Sequence, residues 1–302
     1  MTRCVPVFLG LALATSFPTS TAHGAQTADE AASPSFSDGG SGDAAFGIVG
    51  RSAVRLATDF REQVSYPFGL AKRDRSRFVI GTAGIAALVL MDRYTYPPLA
   101  RPAFVSSDKL IGPAQTLSRI GDGRMALPLV AGFGAVGLIA GSDREKQTSL
   151  MLAEALITSG FWTGALKYVG GRERPREVNE PTADWTGPNG VLGDDGSGGG
   201  HMSFPSGHAT GIWAIATVLA HQYPSGHVVP IAAYGTATAI SYSRIVLNAH
   251  WLSDVVVGSL IGYGCARQVI GARTRTSEEE SHIHLLYQPT GDEQRVGLAV
   301  DF

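Results

Sequence analysis

Three short clusters in this chain hold the residue types that phosphoryl chemistry needs. They are Lys167 with Arg174-Pro175, then Pro205-Ser206-Gly207-His208, then Ser243-Arg244 with His250 and Asp254. Together they supply three fixed cations, two imidazoles, one carboxylate and a small-residue turn. Such a set suits phosphoryl transfer through a histidine. The cations hold a phosphate and spread its charge, one imidazole attacks, the other protonates the leaving oxygen, and the carboxylate orients the attacker. Arginine forks onto two oxygens, whereas lysine acts as a point charge. The same cations at helix ends would otherwise serve as snorkelling residues. Ser206 and Gly207 precede an apolar run, where the N–H groups of a helix start meet an anion and glycine permits close approach. Asp254 follows His250 by four residues, so both side chains can share a face if the helix begins that early.

In this order, Lys167-x6-Arg174-Pro175, Pro205-Ser206-Gly207-His208 and Ser243-Arg244-x5-His250-x3-Asp254 resemble the three-part signature of the type 2 phosphatidic acid phosphatase superfamily. That superfamily includes bacterial non-specific acid phosphatases, lipid phosphate phosphatases and vanadium haloperoxidases. No signature position is missing, and the resemblance spans about residues 75 to 270. It implies that His250 is the nucleophile that forms a phosphohistidine, that His208 is the general acid, and that Asp254 holds the His250 tautomer and stabilises its developing charge. Lys167, Arg174, Ser206, Gly207 and Arg244 would hold the phosphate. The activity implied is a metal-independent phosphatase for phosphate monoesters or lipid phosphates and diphosphates, with no cofactor and with vanadate as an inhibitor. Two other classes remain open. In a vanadate-dependent haloperoxidase the counterpart of His250 would bind vanadate, and a non-catalytic phospholipid-binding protein would not need both histidines.

Several residues near these blocks are read as structural. Pro224-Ser225-Gly226-His227 repeats the second block. Only the first copy leaves two helix-length apolar runs before Ser243, and the second has the punctuation of a helix–helix turn. Arg172 and Arg176 flank the first block without matching it and read as solvated loop residues. His201 is at most a loop contact, and Trp185 a loop anchor. Asp184, Asp194 and Asp195 do not match the spacing of a calcium loop. The long polar segment 170–204 suits a lid or collar over the site.

Six apolar segments must position these residues: Phe78 to Met91, Met125 to Ala140, Leu150 to Val169, Ala209 to Ala220, Val228 to Tyr242 and Val255 to Ala266. Their lengths and composition predict helices. The expected fold is all-α, an antiparallel bundle of about six core helices with the site at one end and a short C-terminal β-hairpin. Residues 1–24 read as a secretory signal peptide, 25–50 as a flexible linker, 51–272 as the helical domain, and 273–302 as a polar linker and hairpin tail. Val54 to Val64 has the spacing of an amphipathic helix.

The formal net charge of −2 does not indicate a polyanion-binding surface, and no nucleic-acid partner is expected. The two cysteines, Cys4 and Cys265, predict neither a disulfide nor a metal cluster. No protein partner is expected; a membrane surface is an open contact. Most of the apolar segments run 12 to 17 residues, short of the ~20 that span a bilayer, and Glu154 interrupts the longest. These lengths favour a soluble or peripheral enzyme of the periplasm or cell envelope over an integral inner-membrane protein.

Overall fold

The computed structural model describes residues 72–100, 107–178, 182–192 and 201–281, with parts of 54–64 and 283–300. The expected leader, the linker and the glycine-rich run 193–200, with Asp194 and Asp195, lie outside the described residues. The fold is all-α, as the apolar runs predict. Its long helices are α1 (Lys72–Ala100), α2 (Ser107–Ile120), α3 (Gly123–Ile139), α4 (Asp143–Gly170), α5 (Gly207–Gln222), α6 (Val228–Val246) and α7 (Leu252–Ser281). Six of them contain the six apolar segments. The seventh, α2, was not foreseen: Leu110, Ile111, Leu117 and Ile120 are separated by polar residues and by Pro113, and make no continuous apolar run. The C-terminal hairpin remains an expectation, and the site owes nothing to it.

Local sequence sets the helix ends that matter. Ser206 caps α5, its side chain accepting from the Ala209 N–H. Asp122 caps α3 by accepting from the Arg124 N–H at 3.0 Å. Gly171 ends α4 in the left-handed region, φ 52°, and its N–H returns to the Lys167 carbonyl at 2.9 Å. A Cβ at Gly171 would lie 2.1 Å from the Gly187 carbonyl oxygen, so only glycine lets the two loop strands meet there.

Helix α5 is central. It packs most extensively on α7, and α4 and α6 pack against it in turn. The α5–α7 approach is close because α7 presents Gly258 and Gly262 to it. A Cβ at these positions would lie 2.5 Å from the Ser206 carbonyl oxygen and 2.1 Å from that of Thr210. This small-xxx-small spacing brings the two backbones together and sets the start of α7, with Asp254, against the start of α5. Leu152, Ala155, Ala214, Val218, Ala266 and Val269 fill the centre of the bundle, all fully buried.

The expectation of a soluble or peripheral protein is overturned. Phe78–Tyr96 (19 residues), Asp143–Gly170 (28) and Leu252–Thr274 (23) are each long and apolar enough to cross a membrane. Lys109–Ile120 and Gly123–Ile139, bent by 47° at a short break, make a fourth span if taken as one. Large apolar side chains face outward: Leu90 is 73% exposed, Leu127 75%, Leu138 75% and Ile139 88%. An apolar outer surface on helices of this length points to an integral membrane protein. The apolar runs underestimated the helices because they were ended at charged residues. Glu154 does not interrupt α4. It is 3% exposed and takes a two-pronged ion pair from Arg273 of α7, at 3.0 and 2.6 Å, so its charge is cancelled inside the bundle.

Candidate active site

The three blocks meet at one end of the bundle. The end of α4 brings Lys167, and the loop after Gly171 brings Arg174. The start of α5 brings Ser206, Gly207 and His208. The last turn of α6 brings Arg244, and the turn into α7 brings His250 and Asp254. Backbone hydrogen bonds lace the segments together. The Ser203 N–H donates to the Arg172 carbonyl at 2.9 Å, Ser206 N–H to the Asp254 carbonyl at 3.0 Å, and Arg176 N–H to the Asn248 carbonyl at 3.1 Å. The Ala249 and His250 N–H groups both return to the Arg244 carbonyl, at 3.0 and 3.3 Å.

His250 is buried, and its ring orientation is fixed. Nδ1 lies 2.8 Å from the Ser203 carbonyl oxygen and 3.6 Å from Asp254 Oδ2. A carbonyl only accepts, so Nδ1 carries the proton and Nε2 keeps its lone pair. Burial lowers the His250 pKa to about 3, against the opposing pull of the Asp254 hydrogen bond. The imidazole is therefore neutral, as a nucleophile must be.

Asp254 does not share a helix with His250, as the four-residue spacing suggested, because α7 begins only at Leu252. The carboxylate instead reaches back over the helix start. Oδ2 accepts from the Trp251 N–H at 2.9 Å and from Ser203 Oγ at 2.5 Å.

The three cations surround the imidazoles. Lys167 Nζ donates to the Met202 carbonyl, and Arg244 Nη1 to Ser118 Oγ of α2. Burial lowers the pKa of Arg174, with Arg176 adding to the effect. Burial and then Arg174 lower that of Arg244, to about 10. His208, half-buried in the first turn of α5, is lowered to about 4 by burial and then by Arg244, while Asp122 pulls the other way. Like charges held this close, next to the exposed Gly207 at a helix N-terminus, make a receptacle for an anion.

The second copy of the motif is elsewhere. His227 is exposed in the α5–α6 turn, with φ 59°. His201 contacts Thr186 Oγ1 at 2.9 Å and Glu173 at 3.7 Å, a loop contact as expected. Trp185 packs on Phe204 and over the Arg172 guanidinium. Arg176, half-exposed beside Glu177, is the solvated residue it was expected to be.

Arg172 is not a solvated loop residue. It is 2% exposed and lies between Trp185 and Trp251, at 4.9 and 5.1 Å from their rings. Its Nη1 donates to Asp254 Oδ1 at 2.6 Å and to Ser253 Oγ at 2.8 Å, and its Nη2 to Asp92 Oδ2 of α1 at 2.8 Å. Sequence reading missed Arg172, Asp92, Ser118, Ser203 and Ser253. The one available signal was Asp92, a lone acid inside an apolar helix, which demands a buried cation.

Residues 148–276 match the family model of the PAP2 superfamily. A stretch of 142 residues is 32% identical to Lipid A 1-phosphatase of Porphyromonas gingivalis; it covers 46% of this chain and 26% of that protein, so the match spans about a quarter of the curated relative's length. Among solved structures, Aquifex aeolicus LpxE aligns with a TM-score of 0.43 at 24% identity, over 58% of this chain and 92% of that one. The transmembrane PAP2-type phosphatidylglycerolphosphate phosphatase of Bacillus subtilis aligns with a TM-score of 0.47 at 20% identity, over 64% and 96%.

Proposed function

We propose, from the match of residues 148–276 to the PAP2 superfamily, that this chain is a membrane-embedded lipid phosphate phosphatase that works without metal through a phosphohistidine. The observation that carries the reading is the His250 ring. Its Nδ1 proton is held by the Ser203 carbonyl, which leaves the Nε2 lone pair for the phosphorus. Lys167 and Arg174 act electrostatically on both histidines, and Arg244 on His208; the three would bind the phosphoryl oxygens, with the Ser206-Gly207 start of α5. His250 attacks as the ester P–O bond breaks, and His208 gives its proton to the departing oxygen. Water then attacks the phosphohistidine with His208 as base, which releases phosphate.

Two features support a lipid as the substrate. The site lies at one end of helices that can span a bilayer. An apolar cavity of about 500 Å³ opens between α5, α6 and α7, lined by Trp213, Tyr242, Ile245, Leu260 and Tyr263, among others. The relative from P. gingivalis acts on lipid A, so a lipid A phosphate belongs in the substrate panel beside phosphatidic acid and a polyprenyl diphosphate.

The test is release of inorganic phosphate by the detergent-solubilised chain from that panel and from a water-soluble monoester. Lipid phosphates should be preferred, vanadate should inhibit, and chelators should have no effect. Activity lost on chelation and restored by magnesium would refute the metal-free mechanism. Halide oxidation switched on by vanadate would refute the phosphatase reading.

A further inference from the structure

We infer that Arg172 and Asp92 are positioning residues for the proposed nucleophile: with Asp254 they form a buried charge cluster, one positive charge short of neutrality, that His250 completes when it becomes an imidazolium. The inference rests on the phosphatase reading above and concerns residues outside the three motif blocks.

Each contact in the cluster is specified. Arg172 takes one oxygen of each carboxylate, Asp254 Oδ1 at 2.6 Å and Asp92 Oδ2 at 2.8 Å. Asp92 Oδ1 accepts from the Ser253 N–H at 3.0 Å, and Ser253 Oγ joins Arg172 to Asp92. With Asp254 Oδ1 occupied by Arg172, its Oδ2 is left to face Ser203 Oγ, the Trp251 N–H and the His250 ring. Ser203 is the residue whose carbonyl holds the Nδ1 proton. The guanidinium thus fixes the carboxylate, and the carboxylate, through Ser203, fixes the imidazole.

The charges explain why two acids are used. The Arg172, Asp92 and Asp254 side chains are each 3% exposed or less. One guanidinium between two carboxylates leaves this trio with one negative charge, which Lys167 and Arg174 act on from the phosphate site, and a buried charge is costly unless it is matched. Phosphorylation places a further positive charge directly beside it. As the Nε2–P bond forms and the ester P–O bond breaks, the leaving oxygen takes its proton from His208. Nδ1 keeps its own proton, so the ring gains one positive charge beside Asp254. A plain Arg–Asp pair would be neutral before this step and would gain less from it. The cluster therefore favours the covalent intermediate over the free site, which is the differential stabilisation that raises kcat.

A charge-balanced double substitution tests this. Arg172→Met with Asp92→Asn removes one charge of each sign and leaves Asp254 without its anchor. Steady-state kinetics on a lipid phosphate should show kcat reduced about 10- to 100-fold, the range for groups that act by orienting a reacting side chain. KM should change little, and the melting temperature in detergent should stay near wild type. Asp92→Asn alone should slow phosphoenzyme formation in a rapid quench while phosphate still binds.

Wild-type kcat in the folded double variant would overturn the inference, as would a rise in KM with kcat unchanged. Should the double variant not fold, Arg172→Lys decides. It keeps the charge but replaces the fork by one ammonium, so a reduced kcat at constant KM supports positioning and an unchanged kcat overturns it. The wild-type chain is assayed alongside. If it releases no phosphate from any lipid phosphate, the phosphatase reading fails and this inference fails with it. If wild type turns over and the variants match it, only this inference fails.

Discussion

The two copies of Pro-Ser-Gly-His offer a controlled comparison within one chain. His208 lies in the first turn of α5, half-buried and near Arg244, whereas His227 is exposed in a turn. If His208 protonates the leaving oxygen, His208→Ala should slow turnover of an alkyl phosphate by about 10² to 10⁴, or about 3 to 5 kcal/mol of transition-state stabilisation. His227→Ala removes an exposed side chain and keeps a Cβ at the same positive φ, so its effect should stay within about 0.5 kcal/mol. The decisive comparison varies the leaving group. An aryl phosphate whose oxygen departs without a proton does not need the acid. The loss of kcat/KM in His208→Ala, which covers only the steps up to the phosphoenzyme, should therefore shrink towards unity on the aryl ester while remaining large on the lipid; kcat, which includes hydrolysis with His208 as base, should fall on both. Values of kcat/KM on the two esters for wild type and both variants give six numbers from one assay. An equal loss of kcat/KM on both esters would mean that His208 binds phosphate and does not donate a proton. Comparable losses at His208 and His227 would refute the assignment of chemistry to the first copy.

Other predictions follow from the same geometry. His250→Ala should abolish turnover, and rapid quenching of wild type with labelled substrate should trap an acid-labile phosphoryl group on His250; label on Ser206 would overturn the assignment. Burial holds His250 at a pKa of about 3 and His208 at about 4 in the free site, so both are neutral above about pH 5. The proton that His208 donates must then arrive with the substrate monoanion. Accordingly kcat/KM should stay flat on the acid side down to about pH 5 and fall above the second phosphate pKa of about 6. A rise through pH 6 to 7, as for an ordinary histidine base, would refute this. Glu154→Gln strands Arg273 inside the bundle and should cost about 3 to 5 kcal/mol, read as a lowered melting temperature in detergent. Glu154→Leu with Arg273→Met should recover most of that, and equal losses in both variants would show that the pair does more than cancel charge.

The convergence of the three motif blocks was more legible in the sequence than their setting. Each motif block ends or begins a helix, and helix ends are marked by short-range signals: Gly171 after α4, Ser206 before α5, the acid Asp254 in the first turn of α7. Span length is a different kind of quantity. A count of consecutive apolar residues stops at every charge, whereas a helix inside a protein stops only where its backbone bonds stop. Glu154 and Asp92 ended or weakened apolar runs on paper. In the fold they are points where α4 is tied to α7 and α1 to the loop after α4, through Arg273 and Arg172. Neither partner is near its acid in sequence, so no window of residues could have shown that the charges were cancelled.

Spatial context also separates Arg172 from Arg174, two residues on. Both lie in a charged stretch that resembles a surface loop. Arg174 was singled out by its spacing from Lys167, which is a property of the sequence. Arg172 is singled out by what surrounds it, two carboxylates from α1 and α7 and two tryptophan faces from the α4–α5 loop and the α6–α7 turn. The two arginines also differ in electrostatic surroundings. Arg172 is forked between two carboxylates, so it is closed to an incoming anion. Arg174 is acted on by Arg176 and, in the opposite sense, by Glu177 and Asp254, and it acts in turn on Arg244 and His250. That difference supports the proposal that Arg172 orients His250 and that Arg174 binds the phosphate.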